Sequence, residues 1–479
     1  MLRKLPLAFA VSYACIAPSW ATDAPPTALT GLVNVYQQAV DNNADLAAAR
    51  ADYQARIEGV PQARAGLLPN LSASAQNSST RTSIDQPKAT ATRSGTLYQA
   101  TLSQPLFRAD RWFQLQAAEA VNEQAALELS ANEQNLILQS AQSYFGVLRA
   151  QDNLATAKAE ESAFRRQLDQ ANERFDVGLS DKTDVLQSQA SYDSSRANRL
   201  IAQRQVDDAF QALVTLTNRQ YSAIEGIVHS LPVLPPSPND AKAWVDTAAL
   251  QNLDLLASNH AVDAAQQTLR QRKAGHAPTV DAVATWQRGD NDLQGFSNPN
   301  YTGTNYSGDV EQRTVGLQVN IPLYSGGLTS SQVREAYARL SQSEQRRESL
   351  RRQVVENTRN LHRAVNTDVE QVQARKQSII SNQSALEATE IGYQVGTRNI
   401  VDVLDAQRQL YASVRDYNNT RYDYIIDSLR LKQAAGTLNP GDLQDLARYL
   451  KPDYNPDRDF LPPDLAAEAR KNFERPAKR

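Results

Sequence analysis

The sequence predicts an α+β protein built from one unit used twice, each copy running helix, strand, strand and then a very long helical stretch. Three observations predict it. Short motifs recur about 210 residues apart, four segments of about ten residues alternate between apolar and small or polar side chains, and two stretches of about seventy residues contain no proline.

The repeat is read first, because it organises everything else. Asn43-Ala44-Asp45-Leu46 returns as Asn252-Leu253-Asp254-Leu255, an offset of 209 residues, and Gly66-Leu67-Leu68-Pro69 meets Gly275-His276-Ala277-Pro278 at the same offset. Further on, Leu102 to Phe107 answers Val319 to Tyr324. Val177-Gly178, with Thr183-Asp184-Val185-Leu186 after it, answers Val395-Gly396, with Val401-Asp402-Val403-Leu404 after it, and by then the offset is 218. The copies occupy residues 22–231 and 243–436, and residues 232–242, with Pro232 and Pro238, form the linker.

Ahead of the first copy, residues 1–21 read as an export signal: Arg3 and Lys4, an apolar stretch from Leu5 to Ala17, and Ser19-Trp20-Ala21 before the cut. Ser12-Tyr13-Ala14 ahead of Cys15 is a poor lipidation signal, so ordinary cleavage after Ala21 is expected. Cleavage removes Cys15 and Met1, the only Cys and Met, so the exported chain has no disulfide or thiolate chemistry. It also removes two basic residues and no acidic ones, so 50 Lys plus Arg against 53 Asp plus Glu becomes 48 against 53, a net −5. That balance argues against nucleic acid as a partner.

The strands are expected over about 71–84 and 95–105 in the first copy and 279–288 and 313–322 in the second. Val315, Leu317, Val319 and Ile321 alternate with Gly316, Gln318 and Asn320, as a strand does between lipid and water, or between a core and water. Four strands cannot close a membrane barrel, whose known minimum is about eight. Pooling strands among copies gives eight in a dimer or twelve in a trimer, and pattern alone does not choose. No apolar run long enough for a transmembrane helix follows the signal, which points an exported, strand-bearing chain to a bacterial outer membrane. Tyr98, Trp286, Phe107 and Tyr324 are candidate interfacial anchors, and the Gly- and Asn-rich connection from Gly289 to Gln312 an external loop.

Pro105 and Pro322 stand where strand passes to helix, and Gly326-Gly327 offers a swivel. The proline-free stretches Leu106–Val177 and Tyr324–Val395 permit rods of about 100 Å. In the second, Leu361, Val365, Val369, Val372, Ile379 and Leu386 form a coiled-coil seam interrupted by Lys376 and Gln383. Each rod turns at Val177-Gly178 or Val395-Gly396 and returns through a helix, about Thr183–Leu216 and Ile400–Ala435, making two antiparallel hairpins. After Gly436 the proline-rich, charged tail, 437–479, is expected to be largely disordered.

No catalytic motif or metal-ligand spacing is present; His229, His260, His276 and His362 are scattered, so no cofactor and no enzyme activity is expected. Asp402 and Asp405 lie three residues apart, one helical turn, on one face. Acids early in a helix also complement its dipole, which alone could explain them.

The duplicated strand-helix plan, the Pro105 and Pro322 transitions, Ile321-Pro322-Leu323-Tyr324-Ser325-Gly326-Gly327, the segment from Gly392 to Asp405 and Gly436-Thr437-Leu438 together resemble the TolC-type outer-membrane channels. The resemblance spans the mature chain to about Leu446. It implies a homotrimer in outer-membrane lipid, its twelve strands forming one β-barrel continued into the periplasm by a twelve-helix α-barrel. Such channels are passive exit ducts that meet inner-membrane RND or ABC transporters through a periplasmic adaptor (membrane fusion) protein, in multidrug efflux or type I secretion. Residue by residue, the resemblance makes Asp402 and Asp405 rings of carboxylates at the closed periplasmic entrance, where a cation could bind. It makes Tyr393 and Arg398 latch residues whose partners fall on Asp184 and Thr183, and it makes Gly178, Leu179, Ser180 and Gly396 the adaptor contact. The alternative from another class is a periplasmic coiled-coil adaptor or scaffold, which would lack membrane strands.

Overall fold

The computed structural model describes residues 29–86, 88–290 and 309–462. The expected export signal, Cys15 included, lies outside the described residues, as does most of the Gly289–Gln312 connection. From the first described residues, α1 (Leu32–Asn42), α2 (Ala44–Ile57) and α3 (Gly59–Ala65) lead into β1 (Asn70–Asp85) and β2 (Lys88–Phe107), then α4 (Ala109–Asp176) and α5 (Lys182–Thr217). After β3 (Gly226–Ile227) the second copy repeats the plan with α6 (Ala241–Gln251), α7 (Leu253–Ala274), β4 (Thr279–Asp290), β5 (Asp309–Asn320), α8 (Leu328–Gln394) and α9 (Ile400–Ala434). At 68 and 67 residues, α4 and α8 are unbroken helices of about 100 Å.

The strands form one antiparallel sheet in the order β1-β2-β4-β5, leaving β1 and β5 as its two edges. Both strands of the first hairpin outrun the expected bounds, pairing from Asn70 with Ser103 out to Asp85 with Lys88. Their outer halves are Ser-, Thr- and Asn-rich on both faces, so no apolar alternation marks them, and the hydrogen-bonded ladder alone extends the hairpin. In the second hairpin the strands run to Asp290 and from Asp309, and Ile321-Pro322 falls past the end of β5.

Register gathers the apolar residues onto one face, because directly opposed residues point the same way. Leu71 pairs with Leu102, Leu102 with Ala284 and Ala284 with Val315; the neighbouring row runs Ala73, Ala100, Trp286. The opposite face carries Ser72, Thr101, Thr285 and Thr314 among others. Among the described residues nothing covers the apolar face: Val315 is 85% exposed, Leu317 70% and Leu71 73%.

The repeated Asn motif has a physical reason in both copies. Asn43 Oδ1 accepts from Leu46 N at 2.8 Å and so caps α2, while its Nδ2 donates to Leu216 O at 3.3 Å near the end of α5. Asn252 does the same in the second copy, capping α7 through Leu255 N at 3.0 Å and reaching Ala434 O at 3.0 Å at the end of α9. One side chain therefore starts the helix that feeds the strands and satisfies a carbonyl at the end of the helix that returns from the tip. The copies are joined where strand gives way to helix: Arg108 donates to both carboxylate oxygens of Asp281 on β4, at 3.0 and 2.7 Å, with Asp281 buried. Midway down, Leu32, Val35, Tyr144, Phe145, Leu213, Tyr422 and Ile425 make the largest core, the helices of both copies closing on α1.

The expectation of a disordered tail is corrected over its first half. Residues 440–462 fold back on the bundle as α10 (Pro440–Ala447), β6 (Leu450–Lys451), paired with β3, and α11 (Pro456–Asp459); residues 463–479 lie outside the described residues. Two prolines of this tail start helices. Asn439-Pro440 and Asn455-Pro456 are cap-and-first-residue pairs, in which proline's fixed φ and missing N–H suit the first helical turn. The linker also ends earlier than residue 242, since α6 begins at Ala241 with Asp240 as its cap.

Two predictions follow from the polar links. Arg108→Ala strands a buried carboxylate and should cost on the order of 3 kcal/mol, read as a lower thermal unfolding temperature of the purified protein; Asp281→Asn in the same chain should recover part of the loss. Fully buried Asp152 accepts from the hydroxyls of Tyr422, at 2.7 Å, and Tyr454. Burial pushes its carboxyl up to about 6, against the pull of both phenols and of Arg421. Because this folded value lies above the unfolded one of about 3.9, the protonated form favours folding, and stability should fall as the pH rises from about 4 through about 6. Asp152→Asn should flatten that slope in unfolding curves taken across the window.

Candidate functional site

At the far ends of the rods the chain must reverse, and both reversals use the same device. α4 ends at Asp176; Gly178 N donates to Phe175 O at 2.9 Å and Leu179 N to Arg174 O at 2.8 Å. α8 ends at Gln394; Gly396 N donates to Tyr393 O at 3.2 Å and Thr397 N to Gly392 O at 2.8 Å. This is the paired-bond helix stop that needs a left-handed residue, and Gly178 and Gly396 supply it with φ of 76° and 80°. The glycines named as adaptor contacts are thus required by the turn itself. Around them Val177, Leu179 and Val395 are each 69% exposed.

Asp402 sits at the third position of α9 and completes a capping box: Asn399 Oδ1 accepts from Asp402 N at 2.8 Å, while Asp402 Oδ2 accepts from Asn399 N at 3.4 Å. Arg398 reaches toward it, 3.9 Å from guanidinium to carboxylate. One turn on, exposed Asp405 pairs with Arg408 at 2.5 Å. The local structural role of Asp402 is therefore real, and it coexists with a one-faced placement of the two acids. One chain brings two carboxylates here, too few to enclose a metal ion; among the described residues no group of three or more His, Cys, Asp or Glu could hold one.

Within one chain the latch residues have other neighbours. Among the described residues Asp184 accepts from Ser180 Oγ at 2.7 Å, and neither the Asp184–Tyr393 nor the Thr183–Arg398 link forms within the chain. Ser180, expected at the adaptor contact, thus braces the first turn of α5, where Asp184 also favours the helix dipole and Thr183 precedes it. Tyr393 is buried instead against Phe164, Ile400, Val403 and Leu404, with the Arg174 guanidinium over its ring at 4.9 Å. That cation–π contact joins the ends of α4 and α8 and was missed from sequence. Arg398 folds back over Gly392, where an added Cβ would come within 2.7 Å of its Cγ.

The burial of Tyr393 had a signal. The α8 seam steps by threes and fours through Val365, Val369, Val372, Lys376, Ile379, Gln383 and Leu386, and the next two steps are Glu390 and Tyr393. Extended upward, the same steps reach His362 and Thr358, both buried.

Comparison with known proteins bears on the whole arrangement. The profile of the outer membrane efflux protein family matches residues 35–219 and 244–437, one match on each repeat. The outer membrane protein TolC of Vibrio cholerae is 36% identical over 422 residues, 88% of this chain and 94% of that protein. The alkaline protease secretion protein AprF of Pseudomonas aeruginosa is 26% identical over 425 residues, 86% of each chain. Among solved structures, a crystal structure of CusC superimposes with a TM-score of 0.74 at 19% identity, covering 87% of this chain and 95% of that one. With both repeats matched and the fold shared, the chain belongs to the outer membrane efflux protein family, a family of outer-membrane channels, and resides in the outer membrane.

Proposed function

We propose that three copies of this chain assemble into one passive exit duct, a twelve-stranded barrel in the outer membrane continued by twelve helices in the periplasm. The observation that carries it is the sheet: among the described residues one face is apolar and uncovered, the other polar, and both edge strands lack a partner. In lipid each unpaired backbone group costs several kcal/mol, so β5 of one copy must meet β1 of the next until the ring closes. The apolar face then meets lipid and the polar face lines a watery lumen. The choice of three copies over two rests on the family. Cargo leaves without covalent chemistry, in efflux or in type I secretion; among the relatives, BepC of Brucella suis is named for efflux and AprF for protease secretion.

Threefold symmetry places six carboxylates, Asp402 and Asp405 of each copy, around the narrow end. Converging charges of one sign raise the local cation concentration and hold a plug. Planar-bilayer recording of the purified protein tests duct and gate together. A cation-selective current blocked from the periplasmic side by a multivalent cation is expected, with block lost in Asp402→Asn/Asp405→Asn. Asparagine keeps an acceptor for the α9 cap where alanine would remove it. Current with unchanged block removes the gate assignment; no current from a folded oligomer removes the duct.

The exposed aliphatic tips are the proposed seat of a periplasmic adaptor, through which an inner-membrane RND or ABC transporter delivers cargo. Leu179→Asp/Val395→Asp should leave conductance intact while cells lose drug resistance or secretion. Full activity in those cells would place the adaptor elsewhere.

A further inference from the structure

The folded part of the tail crosses the boundary between the two repeats. β6 pairs with β3 after the first copy's helical hairpin, and Lys158 of α4 binds Asp457 at 3.0 Å. Asp152 of α4 accepts at once from Tyr422 of α9 and from Tyr454 of the tail. Gly226 makes room for that tyrosine, since a Cβ there would collide with its ring. Arg421 donates to His229 Nδ1 at 2.9 Å, which leaves Nε2–H to donate to Asp459 O at 2.8 Å. Asn418 of α9 donates to Phe460 O at 2.8 Å, and the Phe460 ring is buried among Ala155, Val372, Ile379, Val414 and Tyr417, residues of α4, α8 and α9.

The contact between the hairpins changes character at this level. On the core side they meet in dry packing around Tyr144, Phe145 and Tyr422. On the tip side a cavity of about 420 Å³ opens between α4, α8 and α9, closed at one end by Phe460 and Leu461. Its walls include the polar seam residues Gln383 and Glu390, and Gln407, whose Oε1 is buried without a partner. A seam that is polar and loosely filled separates at lower cost than one that is apolar and close-packed.

We infer that residues 450–461 are a clasp that ties the two repeats together at Asp152 and confines movement of the hairpins to the segments on the tip side of it. This rests on the gated-duct reading. The clasp sets the pivot, the polar cavity allows the swing, and the carboxylate-bearing tips travel. Loosening the clasp lengthens the mobile arms and opens the narrow end.

The test uses the full mature protein with either of two substitutions. Tyr454→Phe removes one donor to Asp152; Phe460→Ala empties the end of the cavity and leaves the Asp152 bonds intact. Hydrogen–deuterium exchange by mass spectrometry should show faster exchange in α8 and α9 between Lys376 and Tyr411, with residues around Tyr144 unchanged. Single-channel current should rise in both variants. Faster exchange confined to the tail overturns the clasp, as does unchanged current in a variant whose tip-side helices exchange faster. The unsubstituted protein separates the two readings: if it carries no current, the duct has failed, and the exchange pattern still decides whether the tail holds the hairpins.

Discussion

Everything in this fold follows from a sheet that cannot end where its chain ends. Four strands leave two rows of backbone donors and acceptors open on β1 and β5, and the exposed side chains beside them are those that lipid, not water, accommodates. A soluble protein blunts such an edge with charge or covers it with a loop. Here β5 carries exposed Val315, Leu317 and Val319 beside its open edge, and in the proposed assembly another copy supplies the missing strand. The long helices are attached to those strands, so the closed ring proposed for the sheet gathers the helices into a ring as well.

Duplication solves the problem of joining sheet to helices, and its chemistry is economical in residue types. Asn43 and Asn252 each cap one helix and hold the end of another, so the recurring motif marks a joint rather than a reactive site. The bidentate Arg108–Asp281 pair is different in kind, because it links the end of the first copy's strands to the start of the second's and fixes how the two halves meet. The tail breaks the duplication, since only the second copy is followed by a segment that reaches back over both.

Much of this was legible from residue order, for reasons that can be stated. Proline-free length and the glycine of each tip bound the long helices to within a few residues, since proline and left-handed glycine act locally. Alternation found β5 but undersold the first hairpin, whose outer half has no apolar face to alternate. Proline also misleads: a proline-rich composition suggests a disordered tail, and only the preceding Asn439 and Asn455 show Pro440 and Pro456 to be helix starts. What surrounds Tyr393 depends on a tertiary contact. Tyr393 follows the seam inward to Phe164 and Arg174, a partner on another helix that no local pattern names.

The two acids of the tip are constrained unequally, and this bears on how a charged gate can be built. Asp402 is held by the start of its own helix, its carboxylate accepting from Asn399 while Arg398 approaches from the turn. Asp405 has no such duty; it lies on the exposed face with Arg408 beside it. An acid needed for capping is present at the tip of every copy whatever the channel carries, so in the proposed threefold assembly a local helix requirement becomes a ring of charge without further cost. In that assembly Asp405 adds the second ring, a single helical turn from the first, so that a cation entering along the axis would meet two layers of carboxylates. Neither layer recognises cargo, which fits a duct that leaves selection and energy to the transporter behind it.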